Sequence, residues 1–126
     1  MTLHPQVNEI LNFWFGHPED AEYGKSRNIW YTKNPAFDEE IRSRFFTEYE
    51  LAAAGKYDAW QESPQSCLAL IILLDQFSRN MFRGQPQAFA TDYKALAAAH
   101  YAVDHQLEQQ LLPVQRQFIY LPFEHS

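Results

Sequence analysis

Proline opens the helical segments of this chain and glycine closes them. Asn34-Pro35 and Ser63-Pro64 each place a capping side chain before a proline at the first helical position. Pro5, Pro86 and Pro113 mark three further starts, and Gly16, Gly55 and Gly84 three stops. The intervals carry helical periodicity. Val7, Ile10, Leu11 and Trp14 predict a first helix that ends at Phe15-Gly16. Phe37, Ile41, Phe45, Tyr49 and Ala52 line one face of a second, with Asp38, Glu39 and Glu40 in the early turns, where the macrodipole favours acids. Glu40 and Arg44 read as an exposed i,i+4 pair on it. A third helix is predicted from Pro64 to about Phe82. A fourth begins near Pro86. One of its stripes is Phe89, Tyr93, Leu96, His100 and Val103; another is the small-sided Ala88, Asp92, Ala95, Ala99 and Ala102, which lets a neighbouring helix approach closely. A fifth starts at Pro113, carries Phe118, Ile119 and Leu121, and is expected to be interrupted by Pro122. Of the connections, residues 17–32 read as a loop whose Trp30-Tyr31 pair covers an edge of the core, and Tyr57 and Trp60 cover the turn after the second helix.

Strand signals do not compete: β-branched residues are few, and no Asn-Gly or Asp-Gly hairpin turn occurs. Short connections between helices make antiparallel neighbours, so the predicted fold is all-α, built of antiparallel helical hairpins. The segments opening at Asn34 and Ser63 share only their cap-proline start, so the sequence does not establish a repeat. With 126 residues, 46% of them apolar, the chain is long enough for one domain with a real core, and disorder is excluded.

The formal net charge of −6 argues against a nucleic-acid partner, which would need a concentrated basic patch. Cys67 is the only cysteine; no intrachain disulfide can form, and its apolar neighbours mark it as a buried small hydrophobe. The apolar run from Cys67 to Leu74 is far shorter than the roughly 20 residues of a membrane span. The first twelve residues show no basic, apolar leader pattern. The expectation is a cytoplasmic protein with no membrane partner.

Polarity breaks pattern at one place. On a wheel of 100° per residue with Asp75 as origin, Arg79, Arg83, Gln76 and Asn80 fall at about 40°, 80°, 100° and 140°. In the preceding turns that same arc holds Leu68, Ile72 and Leu73. One face of the third helix therefore changes from apolar to densely polar at Asp75, and the first half reads as buried all round. Three readings stand. The cluster is a structural network, with Asp92 and Glu124 as carboxylates for the arginines; or two arginines and two amides hold a carboxylate or phosphate; or Asp75 is catalytic. On the structural reading Arg83 pairs with Asp92, extended to Glu124, and fixes the angle between consecutive helices.

Elsewhere the chemistry is sparse. His100 and Asp104 have an i,i+4 spacing that a metal accepts, but one pair is a weak signal. Metal motifs, phosphate loops and nucleophile elbows are absent from the sequence, so neither metal nor cofactor is expected.

Four segments together resemble the bacterial family called domain of unknown function 924: "ILNFWFG", "WYTKNPAFDEEIRSRF", "LALIILLDQFSRNMFRGQPQAFATDYKAL" and "QRQFIYLPFEHS". The resemblance spans almost the whole chain and implies a tetratricopeptide-like α-α superhelix. It carries the family's polar positions onto Asp75, Gln76, Arg79, Asn80, Arg83, Asp92, Arg116, Glu124, His125 and Ser126. It also implies that relatives continue past His125-Ser126 with an acidic residue and further helix. The expectation is thus one helical domain over residues 1–126 lacking that segment, with Phe118, Tyr120 and Phe123 offered for a subunit contact in a homo-oligomer.

The leading functional reading is a non-enzymatic binding module, with a groove among the third, fourth and fifth helices for a peptide or small anionic ligand. The ligand-binding candidates are the polar positions from Asp75 to His125 named above. The alternatives are a small enzyme acting on an anionic substrate through Asp75, Arg79, Arg83, Glu124 and His125, and a purely structural or assembly role.

Overall fold

A computed structural model describes residues 4–126. Five helices account for the fold: α1 Pro5–Phe15, α2 Pro35–Ala53, α3, α4 Asp92–Asp104 and α5 Pro113–His125. Helix α3 is one rod in three stretches, α-helical over Pro64–Ile71, π-helical over Ile72–Phe77 and α-helical again over Ser78–Met81. Short 3-10 turns at Asn28–Trp30, Asp58–Glu62, Pro86–Phe89 and Leu107–Gln110 fill the connections, and no strand occurs among the described residues. The fold is all-α.

Most starts and stops follow the sequence chemistry. Asn34 Oδ1 accepts the Phe37 N–H at 3.1 Å. Gly16 closes α1 in the left-handed region at φ 88°, where its N–H reaches the Asn12 carbonyl at 2.9 Å. Ser63 does not cap α3 with its side chain: its hydroxyl pairs with that of Ser66 at 2.6 Å, while Ser66 donates to the Trp60 carbonyl. Pro122 does not interrupt α5, which runs through it to His125. The ring is buried there, so apolar burial offsets the missing N–H donor.

Helix α3 is the centre of the molecule. Cys67 to Leu74 are all at most 2% exposed. Helices α1, α4 and α5 pack around its first half, and α2 lies along its second. Helix α4 runs antiparallel to α3, with Ala98 beside Cys67 at one end and Asp92 beside Arg79 at the other. That approach is close because the alanine stripe of α4 (Ala95, Ala98, Ala99 and Ala102) faces inward. The large stripe is left outside: Phe89 is 58% exposed and Tyr93 70%.

Aromatic packing closes the other flank. Trp14 meets Phe77 and Phe118 edge-on at 5.7 and 5.6 Å, and Trp30 meets Phe118 at 5.0 Å. Phe118 is therefore core and not available to a subunit contact. Of the Trp30-Tyr31 pair only Trp30 covers the core; Tyr31 stays exposed. Tyr57 and Trp60 stack at 4.1 Å over the turn after α2.

Burial pushes the Cys67 thiol up to about 12. A thiol-selective reagent at pH 8 is expected to leave Cys67 untouched in the native protein and to label it rapidly in guanidinium chloride. Fast native labelling would show that the α3–α4 seam opens.

Candidate functional site

The polar turn of α3 coincides with its π-helical stretch. Carbonyl-to-amide bonds there step five residues instead of four, and such stretches recur at functional sites. Side-chain donors take the carbonyls of this region. Leu74 O accepts the Thr91 hydroxyl at 2.7 Å and the Ser78 hydroxyl at 2.9 Å. Asp75 O accepts Ser78 at 2.9 Å and Arg79 Nη1 at 3.0 Å.

Two separate carboxylates organise the cluster. The first is Asp75, 1% exposed. Its Oδ1 accepts Arg79 Nη1 at 2.9 Å and His125 Nδ1 at 2.8 Å, and its Oδ2 accepts Gln76 Nε2 at 3.0 Å. Arg79 continues to Asp92 in a two-pronged contact, Nη1 to Oδ1 at 2.8 Å and Nη2 to Oδ2 at 3.0 Å, and its guanidinium lies over the Phe89 ring at 5.1 Å. One buried carboxylate thereby joins α3, the head of α4 and the last turn of α5.

The second is Asp38, in the first turn of α2. It accepts Arg83 Nε at 2.8 Å, Arg83 Nη2 at 3.1 Å and Asn80 Nδ2 at 2.8 Å. Burial alone would raise the Asp38 carboxyl; the Arg83 and Asn80 hydrogen bonds, with the attraction of Arg83 and Arg42, outweigh it and hold the group below its ordinary value of 3.8. The same contact raises Arg83 above its ordinary value, against the opposing effect of burial.

The expected Arg83–Asp92 pair does not form. Asp92 is taken by Arg79, and Arg83, beyond the last turn of α3, reaches α2. The π-helical stretch explains part of this, since fewer degrees are turned per residue there and everything after Phe77 is rotated from its place on a uniform wheel. Of the nine candidate residues, Asp75, Gln76, Arg79, Asp92 and His125 meet at one carboxylate network, while Asn80 and Arg83 meet at the other. Glu124 is exposed and joins neither network. Arg116 points elsewhere, its Nε donating to the Glu108 and Leu111 carbonyls at 3.0 and 3.1 Å. Ser126 turns back on the Phe123 carbonyl.

Asp38 is the residue that sequence reasoning missed. Its place in the first turn of α2 reads as a helix-dipole acid, yet it stands three residues before Ile41 and continues the buried stripe Ile41, Phe45, Tyr49 and Ala52. An acid on a buried stripe demands a cationic partner.

Two cavities lie away from this cluster. One of about 570 Å³ is lined by Phe15, Asp20, Tyr23 and Arg27 among others, and one of about 330 Å³ by Asn12, Tyr23, Gln65 and Gln115 among others. The groove expected among α3, α4 and α5 is neither of them. Among the described residues no group of three or more His, Cys, Asp or Glu is placed to hold a metal, and no helix is long and apolar enough to cross a membrane.

The family described as bacterial protein of unknown function (DUF924) matches residues 10–126. The chain belongs to that family. It is also similar to a solved structure, the protein of unknown function ATU0120 from Agrobacterium tumefaciens, with a TM-score of 0.84 at 36% sequence identity. The match covers 96% of this chain and 64% of that one. No curated protein matches. The DUF924 match includes every residue of both carboxylate networks.

Two predictions follow from the Asp38 contact. A double-mutant cycle on Arg83→Ala and Asp38→Ala is expected to give a coupling of about 1–2 kcal/mol, between exposed and buried pairs, because Arg83 is 40% exposed at its side chain and Asp38 only 12%. Zero coupling would remove Asp38 as the anchor. The lowered carboxyl contributes stability that is present above its ordinary value of 3.8 and is lost as pH falls through the folded value. Asp38→Asn is expected to flatten the stability profile below about pH 5, read by urea melts at stepped pH. An unchanged acid limb would contradict the assignment.

Proposed function

We propose that this DUF924 chain is a binding module that takes an amphipathic peptide segment along the outer face of α4. One observation carries the reading. The helix buries its alanine stripe and turns Tyr93, His100 and Val103 outward, with Phe89 just before it. Such a face, spaced by 3, 4 and 3 residues through Tyr93, Leu96, His100 and Val103, suits the apolar stripe of a second helix. Phe123 of α5 lies against His100 at 4.8 Å and widens the face. Large exposed apolar side chains gathered on one element mark interaction surfaces in ordinary globular proteins.

The same geometry favours a peptide over a small anion. Arg79 and Arg83 are the cations that an anion would need, and each is already engaged by carboxylates. Seating an anion there means displacing Asp92 or Asp38. Next to Tyr93 the Asp92 carboxylate stays partly exposed while it binds Arg79, so a basic residue flanking the peptide's apolar stripe is favoured. A cytoplasmic setting agrees with a partner of this kind.

A thermal-shift screen with amphipathic helical peptides tests the proposal. A peptide present at about 100 times its Kd is expected to add roughly 2.7 kcal/mol to the native state, a rise of several degrees in Tm. Tyr93→Asp should abolish that rise while leaving the free protein's Tm nearly unchanged, because the side chain is exposed. A peptide that stabilises wild type and Tyr93→Asp alike would place binding elsewhere.

A further inference from the structure

His125 is held in a manner that peptide binding does not require. Its Nδ1 stands 2.8 Å from Asp75 Oδ1. That carboxylate is buried and also receives Arg79 and Gln76, so with three donors around it the hydrogen-bond pattern assigns the shared proton to His125 Nδ1. In the neutral ring of that tautomer Nε2 is the bare nitrogen. Among the described residues it makes no hydrogen bond, and the side chain is 25% exposed.

We propose that Asp75 and His125 form a proton-accepting dyad, with His125 Nε2 as the base and Asp75 as the positioning residue. A carboxylate on Nδ1 fixes the tautomer, orients the ring and raises the basicity of the other nitrogen. In the transfer, Nε2 gains the proton of a hydroxyl group or water, the electron pair of the broken O–H bond stays on oxygen, and the imidazolium that results is stabilised by Asp75. Arg79 holds the Asp75 carboxylate in place through Asp92, and Gln76 fixes its second oxygen, so the base is mounted on two helices and not on a loop.

Local charge selects the substrate class. Asp75 and Asp92 together outweigh Arg79, and Glu124 precedes His125 on the exposed side of α5. The centre therefore accepts a proton from a neutral or cationic hydroxyl compound, and an anionic one is repelled. This reverses the charge preference of the enzyme reading drawn from the sequence alone.

Two measurements test the dyad. Nitrogen-15 NMR of imidazole-labelled protein is expected to show His125 protonated on Nδ1 and bare on Nε2 in its neutral form. Diethyl pyrocarbonate then probes the base: Nε2 attacks a reagent carbonyl, a C–N bond forms, and ethyl carbonate leaves and decomposes to carbon dioxide and ethanol. His125 is expected to react roughly threefold faster than exposed His17, the internal reference, although it is less accessible. Asp75→Asn should bring the two rates together. An Nε2–H tautomer overturns the proposal, and so does a His125 rate equal to or below that of His17, which is the behaviour of a purely structural contact. If Asp75→Asn fails to fold, the tautomer and the rate ratio of the unmodified protein decide. Neither readout depends on the α4 outer face, so peptide binding and the dyad stand or fall separately.

Discussion

The Asp75 carboxylate, placed where water cannot reach it, is the constraint around which the helices are arranged. A helix enclosed on every side has no solvent to satisfy a polar turn, so each donor must come from a packed neighbour. Here one comes from the adjacent residue, one from the next turn and one from the end of α5, and the guanidinium among them extends to the head of α4. Moving any of these helices separates a charge from its partner. Well-packed apolar residues would fill the same volume with no desolvation cost, whereas removing one member of a buried pair costs on the order of 3 kcal/mol. Polarity at this place therefore defines an arrangement more than it adds stability, which is the property a positioned functional group needs.

The π-helical stretch belongs to the same argument. A register step inside a buried helix leaves carbonyl oxygens poorly served by the ladder, and Thr91, Ser78 and Arg79 serve them from their side chains. Thr91 also meets the Tyr49 hydroxyl at 3.3 Å, so the irregular turn is tied to α2 as well as to α4. The extra residue per turn changes which side chains lie over one another. Arg79 comes to lie between Asp75 and Asp92, while Asn80 and Arg83 face Asp38.

The fold was legible in the sequence because its signals are local. Cap-proline pairs, terminal glycines and apolar spacing act within a few residues, and the all-round burial of Cys67 to Leu74 is visible in the run itself. The membership of the site was legible in part. Asp75 and Arg79 pair over one turn, and a uniform wheel suffices for that. The assignment of Arg83 was not, because it depends on a register step that no short pattern encodes and on an acid 45 residues away in sequence. Asp38 carried two meanings, dipole partner and buried charge, and only the packing of α2 on α3 selects the second. The inward face of α4 was ambiguous for a like reason: large and small stripes both have helical spacing, and the closeness of α3 decides for the alanines.

Arginine use links this architecture to the surface that remains. All six arginines have partners among the described residues. Arg27 donates to the Phe13 and Trp14 carbonyls at the end of α1, Arg42 to the Met81 carbonyl at the end of α3, and Arg116 to carbonyls at the end of the 107–110 turn. Helix C-termini attract cations because unpaired carbonyls gather there. Arg79 and Arg83 answer buried carboxylates, and Arg44 bridges Glu9 and Glu40 on the surface. With its guanidiniums engaged by carboxylates and helix-end carbonyls, a chain of net charge −6 keeps carboxylates and aromatic rings on its surface. The internal demand for cations thus shapes what the surface has left to offer.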